Sequence, residues 1–327
     1  IQSRVDATLM SNLRTMRRTL INQISKRCDK SKETITSIVH SLLSRSIFIK
    51  YLEERKDSNG ETVFPQDFYC NFMESAKWYT DVLNSKEATY NLFLTLKDKF
   101  NGDTLQVSEI ETEIITQDDL DELRTFILGN SELESRQLTL WPLYSFDIIP
   151  IQLISSIYEL FFHLSDEEDE KGTYYTPLHL VNLVMDEVYP WEGEYKDISF
   201  FDPSCGSGIF LVEAYRRLVC RWMSQNAVQA ITCDRLNLLL KNSIFGVDIN
   251  EEAIRVASFS LSLAMCDFLD PRSIWDKLSF PSLLGKNLIS SDFFDEDKSF
   301  NKERYDVIVG NPPWQSNITE KTKEYLK

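Results

Sequence analysis

Short apolar segments alternate with amphipathic helices between residues 198 and 309, and this alternation constrains the fold more than any other feature of the sequence. The apolar spacing predicts helices over residues 209–223 and 251–266. Strands separated by helices predict an α/β fold with a parallel sheet, in which ligands bind at the carboxyl ends of the strands. The segments that read as buried strands are residues 198–201, 243–247, 287–289 and 305–309.

The part of the chain before this alternation predicts an all-α domain. Turn dipeptides at Asn101-Gly102, Gly129-Asn130 and Trp141-Pro142 separate its helices. Five consecutive acids at residues 166–170 suit an exposed linker. We therefore predict a helical domain over residues 1–165 and an α/β domain over residues 166–327. The helical spacing is clearest at Ile35, Ile38, Val39, Leu42, Leu43, Ile47, Phe48, Tyr51 and Leu52.

Composition and charge exclude several classes of protein. With 43% hydrophobic residues, the chain can build a core in each domain and is not a disordered segment. It has no run of about 18 apolar residues and no signal peptide, so we expect a soluble, cytoplasmic protein without a membrane partner. The 6 cysteines form no CxxC pair, and with 3 histidines they predict no metal site. A net charge of −16 argues against this segment binding DNA phosphates by itself. The basic run at residues 14–32 is usually a solvated helix face, with a phosphate contact as the alternative.

A glycine-containing loop follows the first predicted strand. An acid ends the strand, and Gly206 and Gly208 let the backbone pass close to a ligand before a helix begins. The spacing differs from GxGxxG, and the loop lacks the Lys-Ser/Thr pair of a phosphate-binding P-loop. The loop therefore predicts a cofactor that is not a triphosphate, with an ordinary glycine-rich turn as the alternative. Its sequence is Phe201-Asp202-Pro203-Ser204-Cys205-Gly206-Ser207-Gly208-Ile209.

Acids also end the second and third predicted strands. Asp248 follows the second strand, where a carboxylate can accept both hydrogens of a ribose diol; alternatively it only caps the next helix. Asp292 and Phe293 follow the third strand. An acceptor beside a flat apolar face suits the amino group and ring of an adenine.

The fourth predicted strand is followed by Asn311-Pro312-Pro313-Trp314. A turn alone needs only one proline. The second proline restricts the first, which fixes the Pro312 carbonyl beside the Asn311 amide. Two fixed acceptors can hold both hydrogens of an exocyclic amine, and Trp314 can stack on the ring that carries it. This segment therefore predicts a pocket for a nucleic-acid base.

Together with Gly172-Thr173-Tyr174-Tyr175-Thr176-Pro177, these motifs resemble those of the gamma-order adenine-N6 DNA methyltransferases. That family carries Tyr-Thr-Pro first, Asp-Pro-x-x-Gly-x-Gly second and Asn-Pro-Pro-aromatic fourth. Residues 42–53 and 148–159 are similar to the helical region ahead of the methylase in type IIG restriction-modification enzymes and phage-defence methylases. The resemblance implies a Rossmann-like methyltransferase core, incomplete at its C-terminus, behind an all-α domain.

The resemblance also implies a role for each motif. The cofactor would be S-adenosyl-L-methionine. Its methionine part would be held by Thr173, Tyr175 and Thr176, its ribose by Asp248, and its adenine by Asp292 and Phe293. The main cofactor loop would consist of Asp202, Pro203, Cys205, Gly206 and Gly208. The target adenine would be held by the catalytic residues Asn311, Pro312, Pro313 and Trp314. Duplex DNA would be the partner, bound mostly by regions outside this chain, which stops before the family's later strands and target-recognition region. An upstream nuclease domain is compatible with this pattern.

The predicted chemistry is methyl transfer to adenine N6 by orientation. Accepting both N–H hydrogens at Asn311 and Pro312 would pull the nitrogen toward tetrahedral geometry and aim its lone pair at the methyl group. Cytosine-C5 methylation is disfavoured, because Cys205 lies in the cofactor loop and not at the fourth strand end. Two alternatives stay open: a protein-glutamine or RNA N6 methyltransferase, and a non-catalytic scaffold that binds the cofactor.

Overall fold

The structure is a computed structural model that describes residues 2–101, 103–129, 131–132, 137–138, 176–295, 300 and 304–312. The chain divides into two compact units, Ile1–Pro150 with Asp270–Ser279 and Ile151–Leu269 with Phe280–Lys327. The domain boundary predicted after residue 165 lies outside the described residues and stays a prediction. Also outside them are the acidic run 166–170, the segment 148–159, the turn at Trp141-Pro142, and the site residues Thr173, Tyr175, Pro313 and Trp314.

The first unit is mainly helical. A pair of two-residue strands, Ser131–Glu132 (β1) and Gln137–Leu138 (β2), forms an antiparallel ladder that the helical pattern did not predict. They follow Gly129, whose left-handed φ of 62° ends the preceding helix. The helices are α1 (Gln2–Arg27), α2 (Lys32–Glu54), α3 (Tyr79–Val82), α4 (Lys86–Phe100), α5 (Glu109–Ile114) and α6 (Gln117–Leu128), with 3₁₀ turns at Phe68–Asn71 and Asp103–Leu105.

Local sequence signals set the ends of these helices. The Ser31 hydroxyl accepts a hydrogen bond from the Thr34 N–H at the start of α2, and Ser85 does the same for Ala88 at the start of α4. Asn101 adopts a left-handed φ of 52° and ends α4. The turns predicted at residues 101 and 129 are thus confirmed.

One buried cluster of polar side chains in the first unit centres on Arg45. Arg45 is 0% exposed and forms an ion pair with Glu111, which is 1% exposed. The Tyr90 hydroxyl donates to Glu111 Oε1 at 3.3 Å, and Arg45 Nη1 donates to the Gln106 carbonyl at 2.7 Å. The buried guanidinium and carboxylate therefore compensate each other within the fold.

The second unit contains a four-stranded parallel sheet whose strands are, in chain order, β3 (Phe200–Asp202), β4 (Ile244–Asp248), β5 (Leu288–Ser290) and β6 (Val307–Ile308). Their order across the sheet is β5-β4-β3-β6. Because the first strand lies between the second and the fourth, the winding direction reverses between β3 and β6, which makes their carboxyl ends the switch point of the fold. Phe201 of β3 pairs with Phe245 on one side and Ile308 on the other. The described helices of this unit are α7 (Leu178–Val188), α8 (Ile209–Gln225), α9 (Cys233–Ser243) and α10 (Glu251–Cys266).

The predicted α/β architecture is confirmed. Each predicted strand matches an observed one, and α8 and α10 begin at Ile209 and Glu251 as the sequence pattern predicts. Helix α9 was not predicted. Across the described residues, no helix has the length and apolar character that crossing a bilayer requires.

One helix from the second half of the sequence belongs to the first unit. Helix α11 (Pro271–Lys277) lies in the segment Asp270–Ser279, and Asp270 caps it by accepting from the Ser273 N–H at 2.8 Å. Its Trp275 ring packs edge-on against Phe68 and Phe64, at centroid distances of 5.1 and 5.8 Å. The α/β pattern of the sequence did not predict this placement.

Candidate cofactor and target-base site

The carboxyl ends of β3 and β6 meet at Asp202 and Gly310. Asp202 is 1% exposed, and a Cβ placed on Gly310 would lie 3.0 Å from its Cγ atom. A side chain at position 310 would therefore collide with the carboxylate. The sequence interpretation gave Gly310 no role, although a glycine at a strand end often marks a close backbone approach.

The loop after β3 is held against β4 by its backbone. The Cys205 N–H donates to the Val247 carbonyl at 2.9 Å, and the Gly208 N–H donates to the Cys205 carbonyl at 2.8 Å. Gly206 and Gly208 have φ values of 51° and 84°, which residues with a side chain rarely adopt. Helix α8 begins directly after Gly208, which has no side chain to cap its first turn. The loop thus has a backbone geometry that its two glycines allow, and its role in facing a ligand stays a prediction.

The Cys205 side chain packs inward. It is buried, and a Cβ placed on Gly246 would lie 3.0 Å from its Sγ atom. Burial raises the pKa of the Cys205 thiol well above its usual value, and the carboxylates of Asp202 and Asp248 raise it further. A thiol that is buried and protonated is not a nucleophile. Pro203, the neighbouring predicted residue, is partly buried at the start of the loop.

Asp248 ties the loop to the end of β4. Its Oδ2 atom accepts from the Gly206 N–H at 2.9 Å, and its Oδ1 atom accepts from the Asn250 N–H at 2.8 Å. Asn250, not Asp248, caps α10, because its Oδ1 accepts from the N–H groups of Glu252 and Ala253. Each Asp248 oxygen keeps one lone pair, so the carboxylate can still accept from a ligand.

Two carboxylates in this site have raised pKa values. Burial raises the pKa of Asp202 to about 8; the Ser204 N–H opposes this and the charge of Asp248 adds to it. Burial also raises the pKa of Asp248, against hydrogen bonds from the N–H groups of Asn250 and Gly206. No basic side chain is among the described groups that set either pKa. A positively charged ligand would therefore lower both pKa values on binding.

The end of the third strand supplies an aromatic surface. The Phe293 side chain is 37% exposed, and its ring stacks on Phe300 at a centroid distance of 6.3 Å and lies 6.1 Å from Phe201. Asp292 Oδ1 accepts from the Phe294 N–H at 3.0 Å, and the Ser291 N–H donates to the Asp248 carbonyl at 2.9 Å. The second and third strand ends are therefore joined by their backbone.

Three motifs that are distant in sequence converge on Asn311. Its Nδ2 atom donates to the Thr176 hydroxyl at 3.1 Å, across 135 positions of sequence. The Ser204 hydroxyl donates to the Asn311 carbonyl at 3.4 Å. The sequence pattern predicted no role for Ser204. Its position close to Asp202 in the loop is the one feature that could have indicated a role in the site. Pro312, next along the chain, is exposed.

Comparisons with known proteins find relatives that are named as methyltransferases. It is 32% identical over 160 residues to the adenine-specific methyltransferase PglX of Streptomyces coelicolor, covering 39% of this chain and 13% of that protein. It is 23% identical to the type II restriction enzyme and methyltransferase RM.Eco57I of Escherichia coli, covering 95% of this chain and 34% of that protein. The chain thus spans about a third or less of these relatives.

A solved structure and a family profile complete the comparison. A modification subunit of a putative type I restriction enzyme from Vibrio vulnificus aligns at a TM-score of 0.45 and 15% identity, over 96% of this chain and 62% of that chain. The profile of the family described as N-6 DNA Methylase matches residues 150–326, more than half of the chain. The chain therefore belongs to the N-6 DNA methylase family.

Proposed function

We propose that this protein is a site-specific DNA adenine-N6 methyltransferase that uses S-adenosyl-L-methionine and works in a restriction-modification or phage-defence system. The observation that carries the proposal is the convergence of Thr176 and Ser204 on Asn311, beside buried carboxylates at the switch point. The family and the names of the two relatives agree with it.

The residues at the strand ends fit this cofactor. S-adenosyl-L-methionine carries a sulfonium and an ammonium group, and Asp202 and Asp248 have no cationic partner among the groups that set their pKa values. The free lone pairs of Asp248 suit a ribose diol, and the exposed Phe293 ring beside Asp292 suits an adenine. Thr173 and Tyr175 would flank the methionine part, and the cofactor when bound would supply an electrophilic methyl group.

Asn311 would orient the target amine. Its Nδ2 atom donates to the Thr176 hydroxyl, and its Oδ1 atom, an acceptor, would take a hydrogen from adenine N6. The Pro312 carbonyl would accept the second hydrogen, which turns the nitrogen lone pair toward the methyl group. The methylated amine is strongly acidic and would lose its proton to water, so no general base is required.

Target capture requires the adenine to leave the duplex. Extrusion costs a few kcal/mol and needs a surface on which the base can stack. Trp314, with Pro313, would provide that surface directly after the amide. Base-edge recognition would come from a target-recognition domain, and we place no such contact in the described residues.

The experiment is transfer of labelled methyl groups by the full gene product to duplex DNA, RNA and protein in parallel, followed by nucleoside analysis. We expect N6-methyladenine in DNA. Asn311→Ala should slow transfer about a hundred- to a thousand-fold, since it removes one preorganised partner of the transition state, while cofactor affinity changes less than about twofold.

The matched control is Asn226→Ala, which truncates an exposed asparagine at the end of α8 and should transfer at the parental rate. Methylcytosine as product, or an Asn311→Ala variant at the parental rate, would contradict the proposal. Label found only in protein or RNA would favour the glutamine or RNA alternatives, and cofactor binding without any transfer would favour a scaffold.

A further inference from the structure

Helix α1 carries a ridge of exposed polar side chains, most of them cations. Arg14, Arg18, Asn22 and Lys26 recur every four residues, and all four side chains are exposed. Residues four apart lie on one ridge of a helix, so these positions span about 18 Å along its surface. We call Arg14, Arg18, Asn22 and Lys26 the α1 ridge. Its three cations form no ion pair or side-chain hydrogen bond with any other residue that the structure describes.

Other basic residues of the same segment have structural partners. Arg17 Nε donates to His40 Nε2 at 2.9 Å, and Arg27 forms an ion pair with Asp119. The opposite side of α1 buries Leu13, Met16, Leu20 and Ile24. The cations that the fold uses are therefore distinct from those that it leaves on the ridge.

The α1 ridge is positively charged, whereas the chain as a whole is negatively charged. The chain has a net charge of −16, yet Asp29 is the single acid between residues 14 and 32. Lys30 and Lys32, both exposed, extend the positive segment beyond the helix. In the described part of the second unit, acidic residues outnumber basic ones. A polyanion would therefore meet its strongest attraction at α1.

We propose that the α1 ridge binds the phosphate backbone of duplex DNA without reading its sequence. The inference rests on the proposed function, in which duplex DNA is the substrate. A duplex carries about one negative charge per 3.4 Å of each strand, so about five phosphates of one strand lie within an 18 Å length, more than the three cations of the ridge. A membrane surface is disfavoured as the occupant, because the apolar side of α1 is buried.

The test is fluorescence anisotropy of the 327-residue chain with a labelled 24-base-pair DNA duplex at several salt concentrations. Reversal of the ridge by Arg14→Glu, Arg18→Glu and Lys26→Glu should weaken binding at least about tenfold at low salt. The slope of log affinity against log salt should fall by about 2 to 3, because each phosphate that the ridge no longer neutralises removes roughly one unit.

The control applies the same change of charge to exposed lysines elsewhere, by Lys77→Glu, Lys196→Glu and Lys241→Glu. Compared at about 0.1 M salt, where the Debye length is about 10 Å, the control should change DNA affinity less than about threefold, because its lysines are not part of the α1 ridge. Equal losses of affinity in both variants, or no loss in the ridge variant, would overturn the proposal. A ridge-dependent preference for a 24-base-pair RNA duplex would overturn DNA as the partner.

A gain of binding gives a test that does not depend on a damaged protein. Asn22→Lys adds a cation to the ridge and should tighten DNA binding about two- to fivefold with a steeper salt slope. Asn91→Lys makes the same change at an exposed position of α4 and should leave the affinity unchanged. Cofactor binding is measured on every variant. If the variants bind the cofactor but the ridge substitutions leave DNA affinity unchanged, this inference alone is wrong. If the wild type does not bind the cofactor, the proposed function is wrong.

Discussion

The two units of this protein treat buried charge in opposite ways. In the helical unit, Arg45 and Glu111 are buried together and pair directly, and Tyr90 adds a further hydrogen bond. In the α/β unit, Asp202 is equally buried, but it accepts from the Ser204 N–H and no described cation compensates it. The buried ion pair of the helical unit thus contains its own counter-charge. The buried carboxyl groups of the α/β unit would instead obtain a counter-charge from a bound ligand.

The largest effect on stability should come from the helical unit. Glu111→Gln leaves the buried Arg45 guanidinium without its counter-charge, which should destabilise that unit by about 3 kcal/mol. Hydrogen exchange of α2 peptides measures the destabilisation. Glu113→Gln makes the same change at an exposed position of α5 and should stay within about 0.5 kcal/mol. Equal stability of the two variants would show that the buried pair is not what compensates Arg45.

Replacing a buried carboxylate of the α/β unit by an amide should instead lower ligand affinity without lowering stability. Asp202→Asn removes a carboxylate whose ionisation the fold disfavours, so unfolding of the free protein should not become easier. The affinity for S-adenosyl-L-methionine should fall by about 1.5 to 3 kcal/mol, the value of a hydrogen bond to a charged group. Calorimetry and thermal unfolding give the two quantities, with the exposed Asp234→Asn as control. If Asp202→Asn lowered the unfolding temperature and left the affinity for S-adenosyl-L-methionine unchanged, Asp202 would serve the fold and not the ligand.

A smaller effect should separate positioning from cofactor binding at Thr176. Thr176→Val removes the acceptor of the Asn311 Nδ2 hydrogen, so the amide is no longer fixed and kcat should fall about five- to tenfold. Thr176→Ser keeps a hydroxyl and should restore most of the rate. KM for DNA should change less than about twofold, and the fall in kcat should persist at saturating cofactor. An effect that appears in the cofactor Kd instead would assign Thr176 to the cofactor alone.

The stability of the free protein should also depend on pH through Asp202. The raised pKa of Asp202, about 8, means that the folded chain keeps a proton which the unfolded chain releases above about pH 4. The contribution is present at low pH, so stability of the free protein should fall as pH rises from about 5 to 8. Asp202→Asn should remove this pH-dependent component, so its Tm should vary less with pH than that of the wild type. A wild type and variant with parallel pH profiles would contradict the raised pKa.

The sequence predicted the elements of the α/β unit well because its strand ends carry distinctive residues. Asp202, Gly208 and Asn250 mark where a strand ends or a helix begins, and such signals are local. The observed α8 and α10 therefore begin where the pattern placed them. The predicted convergence of motifs also follows from topology, since parallel strands align their carboxyl ends.

Contacts between distant residues could not be predicted in the same way. The Arg45–Glu111 pair spans 66 positions, and no periodicity links the two residues. Trp275 lies in a segment that local pattern assigns to the α/β domain, yet its aromatic partners belong to the helical unit. The collision that forbids a side chain at Gly310 depends on the approach of two strands. Such features are set by packing, which the spacing of apolar residues leaves open.

The central claim is that the uncompensated carboxylates of the α/β unit await a cationic cofactor, and calorimetry of S-adenosyl-L-methionine binding to the 327-residue chain tests it most directly. We expect binding that releases protons at pH 7, because a cation lowers the pKa of Asp202 from about 8, and an affinity that rises between about pH 6 and 8. Asp202→Asn should weaken the binding and reduce the proton release. No heat from a folded sample, or an affinity independent of pH and of Asp202, would contradict the account.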